Sequence, residues 1–401
     1  MRDEAAAPAS KTATSRGPGA LAQGHIGVLD GVRGLAILMV LVLHFIGNAT
    51  PTNRFEKLVV AAAGFGQYGV DLFFVLSGFL ITGILFDTRE KPSFFKNFYM
   101  RRLLRIFPLY YGVLVVLFFV LPHIPWFQGP ELDTIVRHQA WAWLYGVNVF
   151  NALHDDWALP YIDHFWSLAV EEHFYFVWPL VVWLLGKRPR TLMLASLAVA
   201  AGALVARIAC SVAGVSQHAL YVLTPFRLDG LALGGFLAIV ARQPGGLDKI
   251  AKALPRVAIG TLLLFIARVA WTRTVGIGTL VLRPIRESLV MLVLACVLMA
   301  AVTAPPRSVW ARIFTSRPLT FLGTYSYGLY VYHHFFSYYA ATHGTEFALA
   351  KLLHTHAGAV IAQSLVGVSL SVVAAMVSYE FFEKRFLSLK SRFESSRRVA
   401  H

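Results

Sequence analysis

The sequence predicts an all-α, polytopic integral membrane protein with about ten transmembrane helices and both termini cytoplasmic, and three observations carry that expectation. Hydrophobic residues make up 57% of the chain and charged residues only 14%, against about 25% charged in an ordinary soluble protein. Apolar runs recur from near Gly34 to near Val377, each about long enough to cross a ~30 Å hydrocarbon layer as a helix. Lysine and arginine gather in alternate connecting segments, 24 on one side against 6 on the other, and the richer side is the cytoplasmic one.

Taken in order, the spans fall at 34–49, 67–86, 106–121, 165–186 and 191–213, then 220–241, 255–271, 285–303, 318–340 and 357–379. The aromatic stretch 141–150 is too short to cross and reads as re-entrant or interfacial. Residues 1–24, rich in Ala, Ser and Gly, lack the apolar core of a signal peptide and read as a disordered cytoplasmic tail. Residues 25–385 form one membrane domain and 386–401 a basic cytoplasmic tail. The net charge of +15 is spread between apolar runs rather than along one face. That distribution excludes a nucleic-acid partner and fits contact with membrane lipid. Cys210 and Cys296 both lie in apolar spans, so neither a disulfide framework nor a cysteine-rich zinc site is available.

Ionisable residues inside such spans are costly and face a cavity or a partner. In the first, DGVRGLAILMVLVLHF (30–45) puts Arg33 and His44 on one face, roughly 16 Å apart along the axis. Arg33 is then at the cytoplasmic surface and His44 deep in the bilayer, either facing a cavity or bonded to a neighbouring helix. Asp71, in GVDLFFVLSGFLIT (69–82), opens an apolar helix; it either pairs with a cation or imidazole or caps the helix end. In NFYMRRLLRIFPLYY (97–111), Arg102 and Arg105 sit three apart and Arg101 and Arg105 four apart, side by side on a helix. Such guanidinium forks suit phosphate oxygens, and equally a positive-inside anchor.

HFWSLAVEEHFYFVWPL (164–180) sets Ser167, Glu171 and Tyr175 at successive i, i+4 steps, with Glu172 about 100° away beside His173. Glu171 either orients His44 or holds an acceptor; a structural hydrogen-bond network is the alternative. FRLDGLALGG (226–235) and LGTYSYGLYVYHH (322–334) carry small residues that permit close helix approach. Arg227, Asp229, Ser326, Tyr327 and His333 are further candidates to line the same cavity. No metal-ligand spacing stands out, and no metal is expected.

The segments DGVRGLAILMVLVLH, GVDLFFVLSGFLIT, RRLLRIFP, WSLAVEEHFY and SYGLYVYH, in this order over roughly residues 29–385, resemble the acyltransferase-3 family of bacterial membrane O-acyltransferases. Members carry acyl groups, commonly acetyl, to hydroxyls of lipopolysaccharide, peptidoglycan, exopolysaccharide, Nod factor or macrolides. The family's arginine–histidine pattern falls on Arg33 and His44, its paired arginines on Arg102 and Arg105, and its serine–glutamate motif on Ser167 and Glu171. His173 departs from the pattern, where the family more often has glutamine.

The resemblance implies a multi-pass protein of the bacterial inner membrane, with acyl-CoA, by default acetyl-CoA, as donor and a carbohydrate or macrolide-like hydroxyl as acceptor. His44 is expected as general base, with Glu171 and Asp71 completing the catalytic set. Arg33, Arg102 and Arg105 are expected to hold coenzyme A; Ser167, Tyr175, Arg227 and Asp229 are expected to line the acceptor site. No esterase-like domain is expected after the membrane part, and the reaction is then expected to finish within the membrane domain or with a separate envelope-assembly partner. The rival reading is a transporter of a polar or lipid-linked sugar solute, in which buried charges mark a coupling pathway. The chain shows no second copy of its motif segments of the kind transporter halves carry.

Overall fold

The computed structural model describes residues 26–274 and 278–393, and among these there is no strand. The 1–24 tail and residues 394–401 lie outside the described residues. The first helices are α1 (Ile26–Val42, continued by a π turn over Leu43–Gly47), α2 (Arg54–Ala63), α3 (Tyr68–Thr88), α4 (Phe94–Val115) and α5 (Trp166–Leu185). They are followed by α6 (Pro189–Val212), α7 (Gln217–Val222), α8 (Leu228–Ala241), α9 (Gly246–Thr274), α10 (Gly278–Thr303), α11 (Arg317–Thr324), α12 (Ser326–Thr342) and α13 (His356–Ser378).

Among the described residues, eight helical stretches are long and apolar enough to cross a bilayer, and the protein is an all-α, multi-pass membrane protein. Leu262, Leu263 and Leu264 on α9 are more than half exposed, as lipid-facing side chains are. Two of the ten expected spans are not continuous helices. The 220–241 run breaks between α7 and α8, where Leu223 is extended and Thr224–Phe226 forms a 3₁₀ turn. Pro225 lacks an N–H and disfavours the helical conformation of the residue before it, so an apolar run that reads as one helix folds as two. The 318–340 run bends at Tyr325, between α11 and α12. The 141–150 stretch forms two short helices, Gln139–Trp143 and Val147–His154, separated near Tyr145, whose φ of 54° is left-handed. It makes no continuous crossing.

Where α3 and α8 cross, backbones touch. A Cβ on Gly78 would lie 1.9 Å from the Leu231 carbonyl oxygen, and one on Gly234 would lie 2.0 Å from that of Val75. Only glycine permits this approach, the small-residue packing by which helices associate in lipid. At the other end of the chain, Leu389–Phe393 is a helical turn packed against α4. Residues 386–393, expected as part of a tail, therefore belong to the folded body.

Candidate active site

A cavity of about 300 Å³ opens between α1, α3, α4, α5, α12 and the C-terminal turn. Its lining contains Arg33, Arg102, Arg105, Ser167, Glu171 and Tyr175 from among the sequence-nominated residues. Ser326 and Tyr327 are there too.

One part of the wall is cationic. Arg101, Arg102 and Arg105 come from one face of α4, Arg33 from the first turns of α1, and Lys390 from the C-terminal turn. Arg33 is paired with Asp30, and the Arg102 guanidinium lies 5.4 Å from the centre of the Tyr175 ring, a cation–π distance. Against these five cations the lining sets two carboxylates, Glu171 and Glu172. A surplus of guanidinium at a concave surface favours anions, and planar forks fit phosphate oxygens in pairs.

The i, i+4 row on α5 fixes the rest. Glu171 accepts hydrogen bonds from Ser77 on α3 (2.7 Å) and from the Tyr175 hydroxyl (3.0 Å). Ser167 Oγ lies 2.5 Å from the hydroxyl of Tyr330 on α12, which also donates to the His164 carbonyl at 3.0 Å. Glu172, on the neighbouring face, reaches the cavity as well, with its buried Oε1 unpartnered. His173 sits 2.7 Å from the Thr224 hydroxyl and so ties α5 to the break between α7 and α8.

His44 lies elsewhere. It sits in the π turn that ends α1, with Nδ1 2.9 Å from the Val40 carbonyl. Its ring centre is 4.7 Å from that of His333 and 5.1 Å from that of His334, both on α12. His164 closes the group, 5.4 Å from His333 and 4.7 Å from His334. Glu171 is not bonded to His44; its oxygens are committed to Ser77 and Tyr175. The two regions meet at Tyr330, which lines the cavity while its ring centre stands 5.6 Å from that of His333.

Asp71, Arg227 and Asp229 are outside the cavity lining and are engaged with one another's neighbours. Arg227 pairs with Asp71 and has Glu287 3.9 Å away. Arg207 pairs with Asp229, lies 3.3 Å from Glu287 and donates to Ser288. Both arginines are about 1% exposed or less, and the Arg227 guanidinium is 4.9 Å from the Tyr221 ring centre. Buried charges persist only when paired in this way. The arrangement joins α3, α6, α8 and α10 and leaves no carboxylate of the set facing the cavity.

Sequence reasoning did not nominate Ser77, Asp163, His164, Arg207, Glu287, Tyr330, His334 or Lys390. Arg207 and Glu287 carried a signal, a charge inside an apolar run, which usually marks a buried pair. His334 stands beside His333 in the quoted motif, and only the fold shows that both rings turn toward His44.

The profile of a family described as "Acyltransferase domain" matches residues 26–380. The chain is 32% identical to the peptidoglycan O-acetyltransferase OatA of Listeria monocytogenes, over 77% of this chain and 49% of that protein. It is 27% identical to the O-acetyltransferase OatA of Staphylococcus aureus, over 88% of this chain and 56% of that protein. The chain thus spans about half the length of these curated relatives. No solved structure matches it.

Proposed function

Because the chain belongs to the acyltransferase-3 family, we propose that it is a membrane O-acetyltransferase that moves an acetyl group from acetyl-CoA to a carbohydrate hydroxyl. Peptidoglycan is the first acceptor to test, because a 32%-identical relative is named for it. The observation that carries the reading is a single cavity with a cationic wall and a hydroxyl–carboxylate floor, in contact through Tyr330 with the ring cluster of His44.

Coenzyme A offers a diphosphate and a 3′-phosphate. Arg33, Arg102, Arg105 and Lys390 hold these from the cytoplasmic side, and the long pantetheine arm carries the thioester toward Ser167 and Tyr330. The acceptor oxygen attacks the thioester carbonyl carbon while His44 takes the hydroxyl proton. Val40 holds His44 Nδ1, so the free Nε2 is the nitrogen that can accept it. The tetrahedral oxyanion needs donors aimed at it, and the hydroxyls of Ser167 and Tyr330 are the ones at this junction. Collapse breaks the carbon–sulfur bond, releases coenzyme A thiolate, which takes up a proton, and leaves the acetyl ester on the acceptor. Glu171 orders Ser77 and Tyr175 in the wall rather than acting on His44.

The test is thiol release from acetyl-CoA by protein in lipid, with peptidoglycan fragments and other glycans offered as acceptors. Acceptor-dependent release by the wild type, lost in His44→Ala, is the expected result. Release that persists in His44→Ala removes it from the base role. Absence of both release and coenzyme A binding overturns the enzyme reading.

A further inference from the structure

The histidine cluster holds more ring nitrogens than a single base needs. Asp163, His164 and His334 are all under 9% exposed, and one donor atom from each lies within 4.8 Å of the others. Ligand atoms about 2.1 Å from a tetrahedral ion stand roughly 3.4 Å apart, so the set closes on an ion by small side-chain movements.

The hydrogen bonding is incomplete here. His164 Nε2 lies 3.3 Å from the Val331 carbonyl, and its Nδ1 is buried without a partner. His334 makes no hydrogen bond through either nitrogen, although its Nε2 is 2.9 Å from Asp163 Oδ1. His333, whose Nδ1 faces the Leu329 and Tyr330 carbonyls, leaves its Nε2 unpartnered beside them. Buried polar atoms are nearly always bonded. Each neutral imidazole carries one N–H and one lone pair, and lone pairs left bare beside a buried carboxylate suit a cation. His164, with one nitrogen facing a carbonyl and the other free, is held as metal-binding histidines are.

We infer that Asp163, His164 and His334 form a binding site for a divalent transition-metal ion of the zinc class. Two imidazoles and one carboxylate suit such an ion, and the carboxylate offsets part of its charge where water is scarce. The alternative trio His44, His333 and His334 is equally compact but contains no anion. With three protein ligands the ion keeps an open coordination position, and His44, 5.1 Å from His334 between ring centres, is its neighbour. In that position a Lewis acid lowers the pKa of a coordinated hydroxyl; this use, unlike the site itself, rests on the reading of His44 as base.

The test is metal content and zinc titration of the full chain, purified in detergent without chelator. Wild-type protein is expected to bind about one zinc per chain and to gain thermal stability on binding. Asp163→Asn and His334→Gln are expected to bind more than about tenfold more weakly, and His44→Ala to bind as the wild type does. Cobalt(II) exchanged into the wild type is expected to give the intense visible bands of a low-symmetry four-coordinate site, a readout that needs no variant. No zinc binding by the wild type, a cobalt spectrum matching the aqua ion, or loss of metal in His44→Ala with retention in Asp163→Asn each overturns the assignment. Intact zinc binding in protein that neither releases thiol nor binds coenzyme A would sink the enzyme reading and leave the site standing.

Discussion

The Ser167 hydroxyl and the Tyr330 phenol lie 2.5 Å apart, and that contact is where the cationic cavity meets the histidine cluster. Ser167 belongs to the α5 row and Tyr330 to α12, so one hydrogen bond joins the elements that carry the carboxylate and the imidazoles.

Tyr330→Phe removes the phenol hydroxyl, and with it the contact to Ser167 and the bond to the His164 carbonyl. Losing one such bond costs about 1 kcal/mol of stability, whereas losing an oxyanion donor costs about 10²–10³ in kcat. The expected outcome is a thermal midpoint a few degrees lower with acetyl transfer down by at least about a hundredfold. A rate that falls no further than the stability would remove Tyr330 from the reaction.

For the donor wall, Arg102→Ala and Arg105→Ala are expected to raise the KM for acetyl-CoA by about tenfold or more, the value of one charge-assisted hydrogen bond. The KM for the acceptor is expected to stay within about twofold, since ~0.4 kcal/mol is the scale of an indirect effect. Lys390→Ala should act in the same direction. Unchanged donor kinetics in Lys390→Ala would separate the C-terminal turn from the donor site.

Asp71 is engaged by Arg227, so its substitution tests structure before chemistry. Asp71→Asn leaves Arg227 buried and underpaired, at a cost of about 3–5 kcal/mol. The yield of folded protein is expected to fall sharply, and Arg227→Met in the same chain should recover part of it. A fully folded Asp71→Asn that has lost only activity would return Asp71 to the catalytic set.

At the crossing of α3 and α8, Gly234→Ala puts a methyl group 2.0 Å from the Val75 carbonyl oxygen. Overpacking of this kind costs about 1–3 kcal/mol or more. A lowered midpoint in detergent is expected, whereas Gly202→Ala, with no atom within 4 Å of the new carbon, should leave it unchanged.

Local periodicity made much of the site legible. The steps from Ser167 to Glu171 to Tyr175, and from Arg101 and Arg102 to Arg105, are fixed by helix geometry, and the cavity collects both groups. What remained hidden depends on contacts across the chain. Asp71 reads either as a partner of a cation or imidazole or as a helix cap, and the arginine that decides between these, Arg227, lies 156 residues away, beyond a break that hydropathy reads as continuous helix. Of the readings open for Glu171, orienting His44 is the one the contacts do not support, because the hydroxyls of Ser77 and Tyr175 bond the carboxylate. Lys390 looked like one more tail cation, and no periodicity places a residue from the end of the chain against α4.

Backbone contact at Gly78 and Gly234 also determines which wall can yield. With no side chains to slide between them, α3 and α8 behave as a single slab, and Asp71–Arg227 pins it from behind. Any widening that admits a bulkier acyl chain or glycan must then come from the opposite side, where α4 and the C-terminal turn meet. Arg101, Arg102, Arg105 and Lys390 stand on that side, so a change in the width of the cavity there is also a change in the spacing of its positive charges.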